Sequence, residues 1–226
     1  MFVAIPPRHK RHPRWVTPLL VVALCAAFVW TQSMSPLARQ SLLQGWGMLG
    51  ALGMDGPDAT NASRWIRLVS ALFLHGDWSH LLGNLVFLMI FGLPAERVLG
   101  SCRLLAVFLL GGAIANLAAS LSIAGDQVII GASGAVSAVI GAWLTLFPNA
   151  RLGVVLPLGL FLEFMHAPAT LLIGLWILLQ VLFAYIGPAY GQVAWVAHVA
   201  GFGVGGLLAL LSRGAIAKRM RKARGY

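Results

Sequence analysis

Six apolar stretches, at about 15–30, 81–93, 104–123, 133–147, 169–186 and 193–211, constrain this chain more than any other feature. A helix needs about 20 apolar residues to cross a bilayer core. The second and fourth stretches are short by that measure, but neighbours in a bundle can shield a short helix. The whole chain agrees: 59% of residues are hydrophobic and only 10% charged, with a mean hydropathy of +0.86. Soluble domains carry about 25% charged residues. In lipid the backbone must satisfy its own hydrogen bonds, so such stretches become helices. The expected fold is therefore all-α, a polytopic bundle of six transmembrane helices. It occupies 15–213, with an outer loop at about 31–78, between basic tails at 1–14 and 214–226.

The net charge of +10 lies mostly at the ends. Arg8, Lys10, Arg11 and Arg14 precede the first stretch; Arg213, Lys218, Arg219, Arg221, Lys222 and Arg224 follow the last. That distribution indicates membrane topology and anionic-lipid contact rather than nucleic-acid binding. With six spans, thirteen basic residues fall on the side of the termini, including Arg97, Arg103 and Arg151, and three on the other: Arg39, Arg64 and Arg67. Both termini are then cytoplasmic. The first stretch has the basic start of a signal peptide, but no small-x-small site follows it, so a retained helix is expected. Cys25 and Cys102 should lie at different depths, with no disulfide expected. No Cys/His cluster has metal-ligand spacing, so neither metal nor cofactor is implied.

The outer segment mixes apolar residues with Gly, Pro and Asp, and its Trp and Leu content suits a membrane interface. The inner connector 152–164 is apolar too, either interfacial or an extension of the fifth helix. Entry from outside puts His80 at the outer end of the second helix, with Asn84 on the same face four residues on. Ser133 falls in the first turn of the fourth helix, and His198 about one turn below the interface anchor Trp195 of the sixth. A lone membrane serine is usually a packing residue and a lone histidine a satisfied polar group. Here four such residues from three helices share one depth. A serine needs a base within reach to act as a nucleophile, and His198 suits that role. No acid lies at that depth in these three helices, so a Ser–His dyad is the economical arrangement. His80 and Asn84 suit donation to a developing oxyanion. Gly131 and Gly134 flank the serine, and Gly201 and Gly205 follow His198 as a GxxxG that permits close helix approach. His75 fits an ordinary interfacial role, Arg67 and Asp77 loop fixation, and Asn116 an interhelical hydrogen bond.

The motifs resemble those of the rhomboid intramembrane serine proteases. His80-Leu81-Leu82-Gly83-Asn84 is similar to HxxxN, Gly131-Ala132-Ser133-Gly134 to GxSG, and Ala197-His198 through Gly201 and Gly205 to AHxxGxxxG. They occur in the family's order, and the resemblance covers about Arg64 to Arg213. It implies a bacterial-type six-helix core in the inner membrane, with Ser133 as nucleophile and His198 as general base and acid. The oxyanion hole would combine Asn84, His80 and the Ser133 N–H. The implied partners are membrane lipid and the transmembrane segments of substrate proteins, cut near the outer face. A catalytically silent relative that only binds membrane helices is the alternative. Departures exist. Ser137 stands where many members carry a tyrosine that packs on the catalytic histidine, so ring support must come from elsewhere, with Phe202 and Trp195 the candidates. Trp65 is separated from Arg67 by Ile66, and Glu96-Arg97-Val98-Leu99-Gly100 displaces the Arg of an ExRxG pattern.

Overall fold

The computed structural model describes residues 14–50, 61–123, 127–158, 161–186 and 195–224. Residues 1–13 of the expected tail (1–14), the Gly-Pro-Asp part of the outer segment (51–60) and the start of the sixth stretch (193–194) lie outside the described residues. Apolar helices stand at all six stretches: α1 (Val16–Gln32), the run α4–α5, α6 (Ser101–Ser120), α7 (Ser133–Leu146), α8 (Ala169–Ile186) and α9 (Trp195–Leu211). The outer segment adds α2 (Pro36–Trp46), β1 (Met48–Leu49), α3 (Asn61–Ser70) and a 3-10 turn, Ala71–Phe73. The protein is an all-α polytopic membrane protein with two small antiparallel strand pairs.

α4 (Trp78–Phe87) passes through a π-helical turn, Leu88–Gly92, into α5 (Leu93–Leu99), one apolar span of 22 residues. The second helix is thus longer than the expected 81–93. Polar groups at both of its ends had masked its length. The wide turn also precedes Pro94, whose ring and missing N–H disfavour a regular helical turn. Trp78–Leu99 and Ser101–Ser120 are each long and apolar enough to cross a membrane; α1, α7 and α8 are shorter apolar helices. α9 meets the basic α10 (Arg213–Arg224) at a bend of 51°.

The inner connector is neither a helix extension nor a featureless loop. β3 (Arg151–Leu158) and β4 (Phe161–Pro168) pair antiparallel from Arg151↔Pro168 to Leu158↔Phe161. Gly153, Pro157 and Pro168 disfavour helix here, and α8 begins directly after Pro168. Open strand edges are not tolerated in hydrocarbon, so this hairpin belongs outside it. The second pairing joins β1 to β2 (Val128–Ile129), in register Met48↔Ile129, and ties the outer segment to the chain entering α7.

The centre is α7, buried from Gly134 to Trp143 and packed on α9 and α6. Small residues allow backbones to touch. A Cβ at Gly201 would strike the Gly134 carbonyl, and one at Gly205 the Ala138 carbonyl. α1 lays Val16, Leu20, Leu24 and Phe28 against the core, one residue per turn, and exposes Leu19, Val22 and Val29 where lipid would lie. Its N-terminus is held by Glu96. That carboxylate accepts from the N–H groups of Trp15, Val16 and Thr17 at 2.9–3.0 Å, from Thr17 Oγ1 at 2.7 Å and from Ser101 Oγ at 2.6 Å.

Candidate active site

Asp77 starts the construction. Its carboxylate accepts the His80 backbone N–H at 2.8 Å and the Ser79 hydroxyl, capping α4 and fixing its first turn. Those two hydrogen bonds hold the exposed Asp77 carboxyl below the usual carboxylate range. The inward stripe of α4 is Leu81, Asn84 and Leu85, continued by Leu88 of the π-helical turn. Asn84 is therefore a polar group in an apolar face, and it needs a partner.

That partner is His75, in the turn before α4. His75 is fully buried, and its Nε2 accepts from Asn84 Nδ2 at 3.1 Å and from the Ala132 backbone N–H at 3.4 Å. An Nε2 that accepts twice requires a neutral ring carrying its proton on Nδ1. Burial, with His80 nearby, pushes the His75 pKa from 6.5 down to about 4. His75 also meets the His80 ring edge-on at a centroid distance of 5.1 Å.

The turn into α7 docks on this assembly. Gly131 has φ +117, and a Cβ there would run into the His80 ring; only glycine suits both demands. Its N–H donates to the Ala71 carbonyl at 2.9 Å. Ser133, the first residue of α7, is half-buried, whereas Gly134 to Trp143 are buried. One residue on, Gly134 touches Ala115 of α6 and Ala197 of α9. Ser133 therefore stands between the His80–Asn84 side, reached through Gly131 and Ala132, and the His198 side, reached through Gly134, Ala197 and Gly201. His80 is close enough to His198 to act on it electrostatically. Of the residues singled out in the sequence, His80 and Gly131 meet directly, Gly134 and Gly201 meet directly, and Asn84 reaches the Ala132 N–H through His75; Gly205 packs farther along α7, on the Ala138 carbonyl. Among the described residues no group of three or more His, Cys, Asp or Glu could hold a metal ion.

His198 is braced from two sides. Trp176 of α8 stacks on it at 6.2 Å between centroids and 27° between planes, and Trp195 meets it edge-on at 6.0 Å. Nδ1 lies 2.8 Å from Gln180 Oε1, also of α8. Of the two ring supports expected, Trp195 is present and Phe202 is not; Phe202 packs on the core with its carbonyl against Gly141. Ser137 turns its hydroxyl back to the Ser133 carbonyl at 2.8 Å and leaves the His198 ring to α8. His75 does more than the ordinary interfacial role expected of it, and Trp176 and Gln180 were missed from the sequence. The last two, four residues apart and so on one face of α8, were the available signal. Arg67 donates to the Gln44 carbonyl at 3.2 Å, tying α3 to α2 within the outer segment, and Asn116 of α6 makes the expected interhelical hydrogen bond, to the Leu68 carbonyl of α3 at 2.9 Å.

Comparison with known proteins adds the family. The model of the Rhomboid domain matches residues 62–214. The putative rhomboid protease YdcA of Bacillus subtilis (strain 168) is 36% identical over 91 residues, 39% of this chain and 46% of that protein. RHOMBOID-like protein 5 of Arabidopsis thaliana is 37% identical over 83 residues, 36% of this chain and 26% of that one. Rhomboid-like protease 3 of Toxoplasma gondii is 31% identical over 127 residues, 56% of this chain and 45% of that one. The matched part of the chain spans less than half the length of each of these relatives.

Proposed function

This chain belongs to the rhomboid family, and from that premise we propose that it is an intramembrane serine endopeptidase cutting transmembrane segments of other membrane proteins near the outer face. Ser133 Oγ attacks the scissile carbonyl carbon while His198 Nε2 takes its proton. The new C–O bond leaves a negative oxygen. The Ser133 N–H, at a helix start with no intrahelical acceptor, receives it together with the second N–H of Asn84 Nδ2 and the His80 ring. The C–N bond then breaks, His198 returns the proton to the leaving amine, and an acyl-enzyme on Ser133 remains. Water, deprotonated by His198, hydrolyses it. In this reading the protein sits in a bacterial inner membrane, and Ser133 opens to the side opposite the termini.

The observation that supports the reading is that the three motifs meet: on one side of the half-buried Ser133 the Gly131 turn packs on the His80 ring, and on the other Gly134 packs against Ala197 and Gly201, which flank His198 in sequence. The test is cleavage of a model transmembrane substrate by detergent-solubilised protein. Ser133→Ala should reduce the rate to background, and a Ser133→Ala protein that cuts as fast as the parent overturns the assignment. Labelling of Ser133 by a fluorophosphonate probe, lost in His198→Ala, separates the enzyme from a helix-binding relative that does not cut.

A further inference from the structure

Resting on the protease reading above, we propose that Gln180 is a positioning residue for catalysis: it accepts the Nδ1–H of His198 and so keeps Nε2 unprotonated toward Ser133. The geometry supplies the bond, 2.8 Å from Nδ1 to Oε1, with Gln180 itself buried. The chemistry supplies the need. A neutral imidazole has one donor and one acceptor nitrogen, and it can take the serine proton on Nε2 only if its own proton sits on Nδ1. A buried Nδ1–H demands an acceptor. In a soluble triad a carboxylate serves. Within a membrane a buried carboxylate is costly, whereas an amide oxygen selects the same tautomer without a charge. The same helix presents Trp176 one turn earlier, stacked on the ring at 27°. α8 thus fixes both the tautomer and the ring plane, the support that Ser137 does not provide.

The titratable surroundings of His198 are simple. His80 of α4 acts on it. α7 carries no titratable side chain, and Tyr185 of α8 is exposed. Cys102 and Arg103 sit at the far end of α6 from Ala115, the residue beside Gly134. The charges of α10 begin 15 residues after His198, about 20 Å along a helix. A charge placed at residue 180 should therefore dominate the His198 titration.

The experiment measures kcat and KM for a model transmembrane substrate across pH 5–9, with full-length parent, Gln180→Met, Gln180→Glu and Ser133→Ala. Gln180→Met should lower kcat about 10- to 100-fold with KM within about twofold, the range of a misoriented general base. Gln180→Glu should restore most of that rate and move the acidic limb up by about one pH unit or more, because a carboxylate favours the imidazolium. A folded Gln180→Met protein within twofold of the parent, or an unmoved limb in Gln180→Glu, overturns the proposal. The parent supplies a check that needs no variant: ¹⁵N shifts of His198 at neutral pH should show the proton on Nδ1, and an Nε2–H tautomer overturns it. If Ser133→Ala is dead while Gln180→Met is fully active, only the role of Gln180 falls. If Ser133→Ala is active, the protease reading falls first.

Discussion

His75 joins two parts of the proposed oxyanion site through a single nitrogen. Its Nε2 holds Asn84 on one side and the Ala132 N–H on the other. Protonating Nε2 turns that acceptor into a donor and breaks both bonds. The folded pKa is about 4 against 6.5 when free, so the unfolded chain binds the proton first as pH falls. The stabilisation is then complete above 6.5 and is lost as pH drops from 6.5 through about 4, on the order of 3 kcal/mol. The thermal midpoint in detergent should fall over this range, and His75→Gln should flatten the fall. Parent and variant curves of equal slope between pH 7 and 4 would refute the role. The sequence offers Ser133, His198, His80 and Asn84 as candidates because each sits at a motif position and topology sets its expected depth. It did not show His75 or Gln180. A lone histidine before a helix carries no motif signal, and the i, i+4 pair Trp176 and Gln180 is only a weak one; the partners that give them their roles include Ala132 and His198, 57 and 18 residues away.

At the level of elements, hydropathy located every apolar helix but blurred the ends where polar residues do structural work. Glu96 is the clearest case. A charge at the end of a span looks like the edge of the membrane. Yet this carboxylate is buried and caps α1, about 80 residues away in sequence. It supplies the acceptors that the first N–H groups of α1 lack. Glu96→Ala should cost on the order of 2–4 kcal/mol, through lost capping and buried donors left unpaired. Glu96→Gln should cost less, since one acceptor oxygen remains. Equilibrium unfolding in mixed micelles checks the order, and equal stability of parent and Glu96→Ala would show that α1 is held by packing alone. The β3–β4 hairpin escaped notice for a different reason. Its sequence, RLGVVLPL and FLEFMHAP, carries no regular apolar–polar alternation, so periodicity could not separate it from buried helix.

Across the whole molecule, two asymmetries run along the same axis. The proposed chemistry gathers where α4, α7 and α9 begin, while the basic α10 follows the other end of α9. α10 does not trail away. Ile216 is buried, and Arg219 donates to the Val98 carbonyl at 3.1 Å, against the positive-φ Gly100 that joins α5 to α6. The end of the molecule opposite Ser133 is thus also the end rich in Lys and Arg. Charge bias sets orientation, so this end should be cytoplasmic, and Ser133 should lie about one turn inside the outer surface. Alkaline phosphatase fused after Tyr226 should then be inactive and a green fluorescent protein fused there bright. A cysteine introduced at Ser79 in a Cys25→Ser, Cys102→Ser background should react with a membrane-impermeant maleimide in intact cells. An active phosphatase fusion together with an unreactive Ser79→Cys would invert the molecule. It would place the proposed cleavage at the cytoplasmic face and contradict the thirteen-to-three charge bias.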